Sequence, residues 1–412
     1  MHGSDRCRSF IALTGLIVVG CNPPASDDGE PETGTASATE SATESGSTET
    51  KTETESGSTE TETETGAELP PRPARVVLTS DWREHRLSLL DYEALRDGAA
   101  TRDEALWKAI ELPGHEPGPL EAELTPDGRL AVVAIGPGFF AGQLGGLVNA
   151  ANVPEGGGLL IVDVETDAIL AELQTAQYPM GVAISDDGTS AWTANYGGNG
   201  QSGMTMSHVD LVDYSLIEEL EIGPGPEQLA LRGDLAIINT AGDGSVRLFD
   251  ITDAQATISA PAVVAMDPSW VLFVGPDDTR AVSVNSIGPG GYSLVDTSDP
   301  LAPQEIDEVE VVGIPYAGAR GSVDTELVMS VLIGTEISVQ RWDTLTSTLI
   351  DEIIVPHLGF PLGIAFVPED ELALVPIPGA NVLAVLDFGT GEQWALDYEG
   401  ASGPTYVAIE SP

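Results

Sequence analysis

The chain has 412 residues, with 66 Asp plus Glu against 16 Lys plus Arg, a formal net charge of −50, and only 2 cysteines and 5 histidines. A field of that sign repels nucleic acid and anionic lipid headgroups; it suits cations, basic proteins or solubility in salty surroundings. The cysteines cannot form a disulfide framework, and no CxxC, CxxCH or Cys/His zinc spacing occurs, so the sequence implies no metal and no cofactor.

The first twenty residues carry Arg6 and Arg8 and then the apolar run FIALTGLIVVG from Phe10 to Gly20, too short to span a bilayer. This pattern predicts an export signal over 1–20. It ends Val18-Val19-Gly20-Cys21, which resembles a bacterial lipobox, with a small residue ahead of the cysteine that becomes lipidated. The two valines depart from the commonest form of that box. The resemblance implies a lipid anchor at Cys21, hence a membrane attachment and an address in the bacterial cell envelope, at the outer membrane or cell surface.

Residues 21–68 are almost entirely Thr, Ser, Glu and Gly, with near repeats such as TESGSTETKTETESGSTETETET. No core can form from such residues, and the stretch reads as an acidic, disordered tether with an end-to-end distance of about 40 Å as a flexible coil.

From residue 69 onward one unit recurs. A proline opens a strand at PLEAELTPDG (Pro119), PMGVAISDDG (Pro179), PEQLALRGD (Pro226), PSWVLFVGPDD (Pro268), PYAGARGSVDT (Pro315), PLGIAFVPED (Pro361) and PTYVAIESP (Pro404), at intervals of 42 to 60 residues. A second ruler agrees: strands close on Asp91, Asp163, Asp210, Asp250, Asp296, Asp343 and Asp387. Seven units with strand-type alternation such as LAVVAIG and LLIVDV, joined by PDG, DDG and PDD turns, predict an all-β ring of four-stranded blades. The seven aspartates sit one per blade ahead of turns, where a carboxylate accepts local backbone N–H groups, so they do not form a shared metal site.

The repeat resembles the YVTN-type seven-bladed β-propeller, whose superfamily includes lactonase-like propellers; the resemblance covers 69–412. It implies a fold, and leaves two functions open. One is a binding or scaffold module at the cell envelope with a protein or polysaccharide partner. The other is a lactonase-like hydrolase with its site at the channel mouth, although no catalytic motif of that group is matched. Because Asp91 has no proline strand before it and Pro404 has no aspartate strand after it, the closing blade should take its inner strand from the C-terminus and its outer strands from Ala74, Leu87 and Leu106.

Two sets of residues are candidates for function. Around the mouth at the proline end, the phase of the repeat places His115, Glu116, Tyr178, Glu227, Asp267, His357 and Phe360 beside the prolines, and Asp81, Asn195, Asn239 and Asn285 at the ends of second strands. The insertion over 136–158 carries Phe139, Phe140, Leu144 and Leu147 in a glycine-rich loop on that same end, an unusual composition for a solvated connection and a candidate partner loop. The glycines otherwise punctuate turns; RGD at 232–234 falls at a turn position.

Overall fold

The computed structural model describes residues 70–115, 118–136, 157–176, 178–198, 201–264, 268–274, 279–286, 290–399 and 403–410. The leader and tether, Cys21, Glu116, Asp267 and the insertion residues Phe139, Phe140, Leu144 and Leu147 lie outside the described residues.

Seven four-stranded antiparallel sheets form a seven-bladed β-propeller. Blade 1 shows the pattern: Pro119–Leu124 innermost, then Leu130–Ile135, Gly157–Asp163 and Ile169–Thr175. The inner strands of blades 2 to 6 are Pro179–Ile184, Pro226–Arg232, Pro268–Val274, Ile314–Arg320 and Ala365–Val367. In the seventh sheet the order is Pro404–Ile409, Val76–Asp81, Arg86–Asp91 and Leu106–Glu111, so residues from both ends of the domain share one blade. Its register places Thr79 between Ser88 and Val407. Inner strands pack on their neighbours in succession, and Pro404–Ile409 packs back on Pro119–Leu124.

The alternation of the strands explains how blades stack. In Leu130–Ile135, Ala131, Val133 and Ile135 face Val76, Leu78 and Leu89 of blade 7, whereas Leu130, Val132 and Ala134 face Val182, Ala191 and Val209 of blade 2. A strand buried on both faces is apolar throughout, which is why LAVVAI has no polar member. Each fully buried Val, Leu or Ile contributes about 1.5–3 kcal/mol, and every interface between blades holds several. The outermost strands differ: Gln304–Glu310 and Thr348–Val355 are mainly exposed and carry Glu305, Asp307, Glu308, Glu310, Asp351 and Glu352. Acidic side chains on an open sheet edge keep other chains from pairing with it, so the acidity of these two strands has a structural use.

The strand that closes on Asp91 ends there, and the Asp91 side chain accepts the Glu93 N–H and starts a short helix, Tyr92–Arg96. One local expectation is corrected. The strand expected from Pro361 is only Ala365–Val367. The RGD turn is a plain connection, with Gly233 at φ 56° between Arg232 and the strand starting at Leu235. All seven repeated aspartates accept backbone N–H groups of the following turn: Glu93, Thr166, Asp213, Thr252, Ser298, Leu345 and Thr390 donate to them.

Candidate functional site: the proline end of the channel

A proline has no N–H to give to the sheet, and the pairing slips just after it. In blade 1, Pro119 pairs Ile135 and Ala122 pairs Val133, so Leu120 and Glu121 oppose Ala134 alone. The same slip follows Pro179, Pro226 and Pro315, and a one-residue version follows Pro268 and Pro404. A bulge breaks the strict in-and-out alternation of a strand and re-aims the residues it contains. Residues one or two places after each proline line the channel, and in six of the seven blades a bulge brings them there.

The result is a small opening of about 20 Å³, room for about one water, lined by Leu120, Glu121, Met180, Gln228, Trp270, Tyr316, Leu362, Thr405 and Tyr406. Every blade contributes, and the contributions are unlike one another. Trp270 and Tyr406 stack with centroids 6.2 Å apart. Thr405 is tied down, its hydroxyl donating to the Ser80 and Leu120 carbonyls at 3.1 Å each.

Glu121 is the centre of a bridge between blades that are not neighbours. Its Oε1 accepts the Val182 N–H at 2.9 Å, and its Oε2 accepts Gln228 Nε2 at 2.5 Å, 107 residues away in blade 3. The bridge crosses blade 2 at Gly181, where an added Cβ would lie 2.8 Å from the Gln228 Cα and the Glu227 carbonyl. Only glycine permits this approach. Two residues along the same strand, Glu123 accepts the Tyr406 hydroxyl at 2.7 Å, and Glu227 accepts that of Tyr316 at 3.3 Å. Burial pushes the Glu121 carboxyl well above its ordinary range, an effect the Val182 N–H only partly offsets. Burial likewise pushes Glu123 up to about 7. The Tyr316 and Tyr406 hydroxyls are raised by burial first and by the nearby carboxylates second.

Of the residues expected at the mouth, Glu227 and Phe360 reach this group, Glu227 by accepting the Tyr316 hydroxyl and Phe360 with its ring edge-on to Tyr316 at 4.9 Å. The asparagines do not. Asn195 is fully buried inside blade 2 and donates to Thr205 and Ser207; Asn285 donates to Ser293 in blade 4; Asn239 holds the Gln228 N–H and the Pro268 carbonyl. Their side chains turn into the blade because a hydroxyl on the third strand, or backbone nearby, satisfies the amide there. Asp81 occupies the same place in blade 7, paired with Pro404 as Asn195 is with Pro179. Its carboxylate takes the Ser88 and Thr79 hydroxyls and Arg86, and burial pushes it up to about 6. Tyr178 is buried at φ 56°. His115 Nε2 lies 3.4 Å from Glu172 on the outer strand of blade 1, away from the channel lining. His357 is half-buried in the connection after Thr348–Val355.

No protein-family model matches this chain, and no curated protein does. Among solved structures it is similar to a functionally unknown protein from Desulfotomaculum acetoxidans DSM 771, at 15% identity and a TM-score of 0.64, over 82% of this chain and 100% of that one. It is also similar to Kuenenia stuttgartiensis hydrazine synthase, at 15% identity and a TM-score of 0.52, covering 66% of this chain and 77% of that one. A third is the dihydro-heme d1 dehydrogenase NirN in complex with DHE, at 14% identity and a TM-score of 0.52, covering 82% and 77%. Likeness at these identities shows the propeller fold and carries no activity across.

Proposed function

We propose that this chain is an exported propeller of the YVTN type, lipid-anchored through Cys21 at the bacterial cell envelope and held off the membrane by its acidic tether, that acts as a binding module. The ligand sits at the proline end of the channel. The observation that carries this reading is the lining itself. Elsewhere the blades repeat the same chemistry, whereas here Glu121, Gln228, Trp270, Tyr316 and Tyr406 each come from a different blade and converge on one opening. Recognition needs such individuality, and structural support alone does not.

A second reading, the lactonase-like hydrolase, is favoured by one observation: burial raises the carboxyl of Glu121 in the channel, and that of Glu123 two residues along the same strand, in the direction a general acid needs. Both oxygens of Glu121 are already engaged, which suits holding a ligand better than proton transfer.

The experiment has two arms. Cys21→Ser should move the full chain from the membrane fraction to the soluble one; a wild-type protein that fractionates as soluble, with no added lipid mass, removes the anchor. A thermal-shift screen of small molecules on wild type and Trp270→Ala should give stabilising compounds whose effect disappears in the variant. If the compounds stabilise both equally, the channel is not the site.

A further inference from the structure

We infer that the rim of the ring is a second binding surface, separate from the channel. The outermost strands of blades 2, 4 and 5 each carry a site for a short extended segment of another polypeptide, made of prolines and a basic residue.

The fourth strand of a blade repeats an irregularity of its own. In five blades the ladder to the third strand skips one residue, and the skipped residue is apolar: Trp107 in blade 7, Leu170 in blade 1, Ile217 in blade 2, Ile306 in blade 4 and Ile350 in blade 5. A bulged residue stands out of the ladder and bends the edge away from strand pairing. In blades 2, 4 and 5 it is an isoleucine, 51%, 53% and 51% exposed. Two acids follow each time, in Ile217-Glu218-Glu219, Ile306-Asp307-Glu308 and Ile350-Asp351-Glu352. A lone exposed isoleucine calls for no explanation, but the same residue at the same bulge in three blades does.

Blade 7 shows what covers such a residue. Its Trp107 is half-buried against the chain's own Pro70-Pro71-Arg72, just ahead of the first strand. Trp107 Nε1 donates to the Pro70 carbonyl at 3.1 Å, and the Arg72 guanidinium lies 5.9 Å from the ring centroid. Arg72 in turn donates to the Glu410 carboxylate at 2.9 Å and the Gly128 carbonyl at 3.1 Å. A proline-rich stretch, extended because its φ angles are fixed, covers the bulge while its cation finds a carboxylate.

Blades 2, 4 and 5 offer the same two parts, an apolar bulge and carboxylates beside it. No Arg or Lys among the described residues pairs with the six acids; Glu218 has His208 at 3.7 Å, and the other partners are hydroxyls and an amide. The Ser347 hydroxyl of blade 5 donates to Asp307 of blade 4 at 3.1 Å, so those two sites adjoin. Their acidity decides the sign of the occupant. With the chain at −50, these edges repel acidic chains, a second copy of this one included, and attract a basic segment. Proline suits it because little conformational entropy is lost on binding and no N–H is left unpaired beside a bulged edge.

The test is fluorescence anisotropy on the full chain at an ionic strength of about 0.15 M, with a labelled hexapeptide PPRPAR, the sequence of residues 70–75. PPSPAS, without the arginines, is its control. PPRPAR should bind at least about tenfold more tightly than PPSPAS. Ile217→Ser, Ile306→Ser and Ile350→Ser together should weaken it by about tenfold, as should Glu219→Gln, Glu308→Gln and Glu352→Gln together. The second variant leaves the isoleucines in place and carries the test should the first unfold. Glu165→Gln, Asp234→Asn and Glu336→Gln remove three exposed charges away from the bulges and should leave affinity within about twofold. If the isoleucine variant binds like wild type, or the last variant loses as much as the glutamate one, general acidity attracts the peptide and the inference falls. It falls equally if PPSPAS binds as tightly as PPRPAR, or if neither binds. None of these outcomes bears on the channel.

Discussion

The two ends of the ring use the same residue chemistry with opposite sign. At the turn end, Asp163, Asp210, Asp250, Asp296 and Asp343 have carboxyls held below their ordinary range by hydrogen bonds from turn residues, led by the Thr166, Asp213 and Ser298 N–H groups and the Thr252 and Thr346 hydroxyls. Asp127 and Asp187 repeat the device in the turns between first and second strands, with Thr125 and Ser185 as first donors. At the proline end, burial drives Asp81 and Glu121 the other way, and Glu123 further along the inner strand of blade 1 follows them. Ionised carboxylates support the fold at one end and oppose it at the other. A sheet protein gains nothing structural from desolvated carboxyls that an apolar residue would not give, so the proline end is the part of the ring whose residues answer to something other than stability.

The comparison breaks most sharply at Gly181. A valine there meets the Gln228 Cα and Glu227 carbonyl of the next blade at 2.8 Å, backbone that cannot swing aside. We expect Gly181→Val to cost about 1–3 kcal/mol in denaturant titration and to abolish ligand binding in the channel. The matching change at the turn end is Gly233→Ala: a Cβ at Gly233 touches nothing within 4 Å, and only the positive φ of 56° is strained. That costs about 1 kcal/mol and leaves the channel intact. Equal stability of Gly181→Val and wild type would show that the blades do not approach as described.

The pH dependence sharpens the comparison. A carboxyl whose folded pKa is raised binds its proton more tightly in the folded state. Its contribution is therefore full below the unfolded pKa and is lost as pH rises through the folded one. For Glu123 that window runs from 4.5 to about 7, and for Asp81 from 3.8 to about 6, where Arg86 moderates the loss. The turn aspartates behave oppositely: their support is present above 3.8 and is lost as pH falls below it. Stability should accordingly decline from about pH 4.5 toward 7 and decline again in acid. Glu123→Gln should flatten the first limb only, as read from unfolding midpoints across pH. A Glu123→Gln profile parallel to that of wild type would refute the assignment.

What could be seen in the sequence divides along the same line. The prolines and aspartates recur because each does one job seven times, so LLIVD and VRLFD announce themselves. The lining does not recur, and three physical facts hide it. The bulge after Pro119 puts Leu120 and Glu121 both on the channel, where alternation assigns neighbours to opposite faces. The bond from Gln228 to Glu121 spans 107 residues and two blades. Asn195 stands at the right end of its strand yet points inward, because Thr205 and Ser207 on the adjacent strand receive it. The usable signal was in plain sight: the residues one and two places after each proline (Leu-Glu, Met-Gly, Glu-Gln, Ser-Trp, Tyr-Ala, Leu-Gly, Thr-Tyr) are the most dissimilar part of an otherwise regular repeat.

The smallest expected effect is at Asp163, and it is the most direct check that the two ends are independent. Its Oδ1 accepts the Glu165 and Thr166 N–H groups at 3.0 and 2.9 Å, which closes the turn between the third and fourth strands of blade 1. Asp163→Ala leaves those donors to water at an exposed turn, a loss of about 1 kcal/mol. The strand Gly157–Asp163 carries this turn roughly 20 Å from the proline end, and the blade between them is packed on both faces. The unfolding midpoint should shift while its denaturant slope and the affinity of any channel ligand stay as in wild type. A fall in channel affinity would mean that strain at the turn reaches Glu121 through blade 1. In that case the uniform end of the ring would be tuning the individual end, and the division of labour argued from their opposite titration would have to be given up.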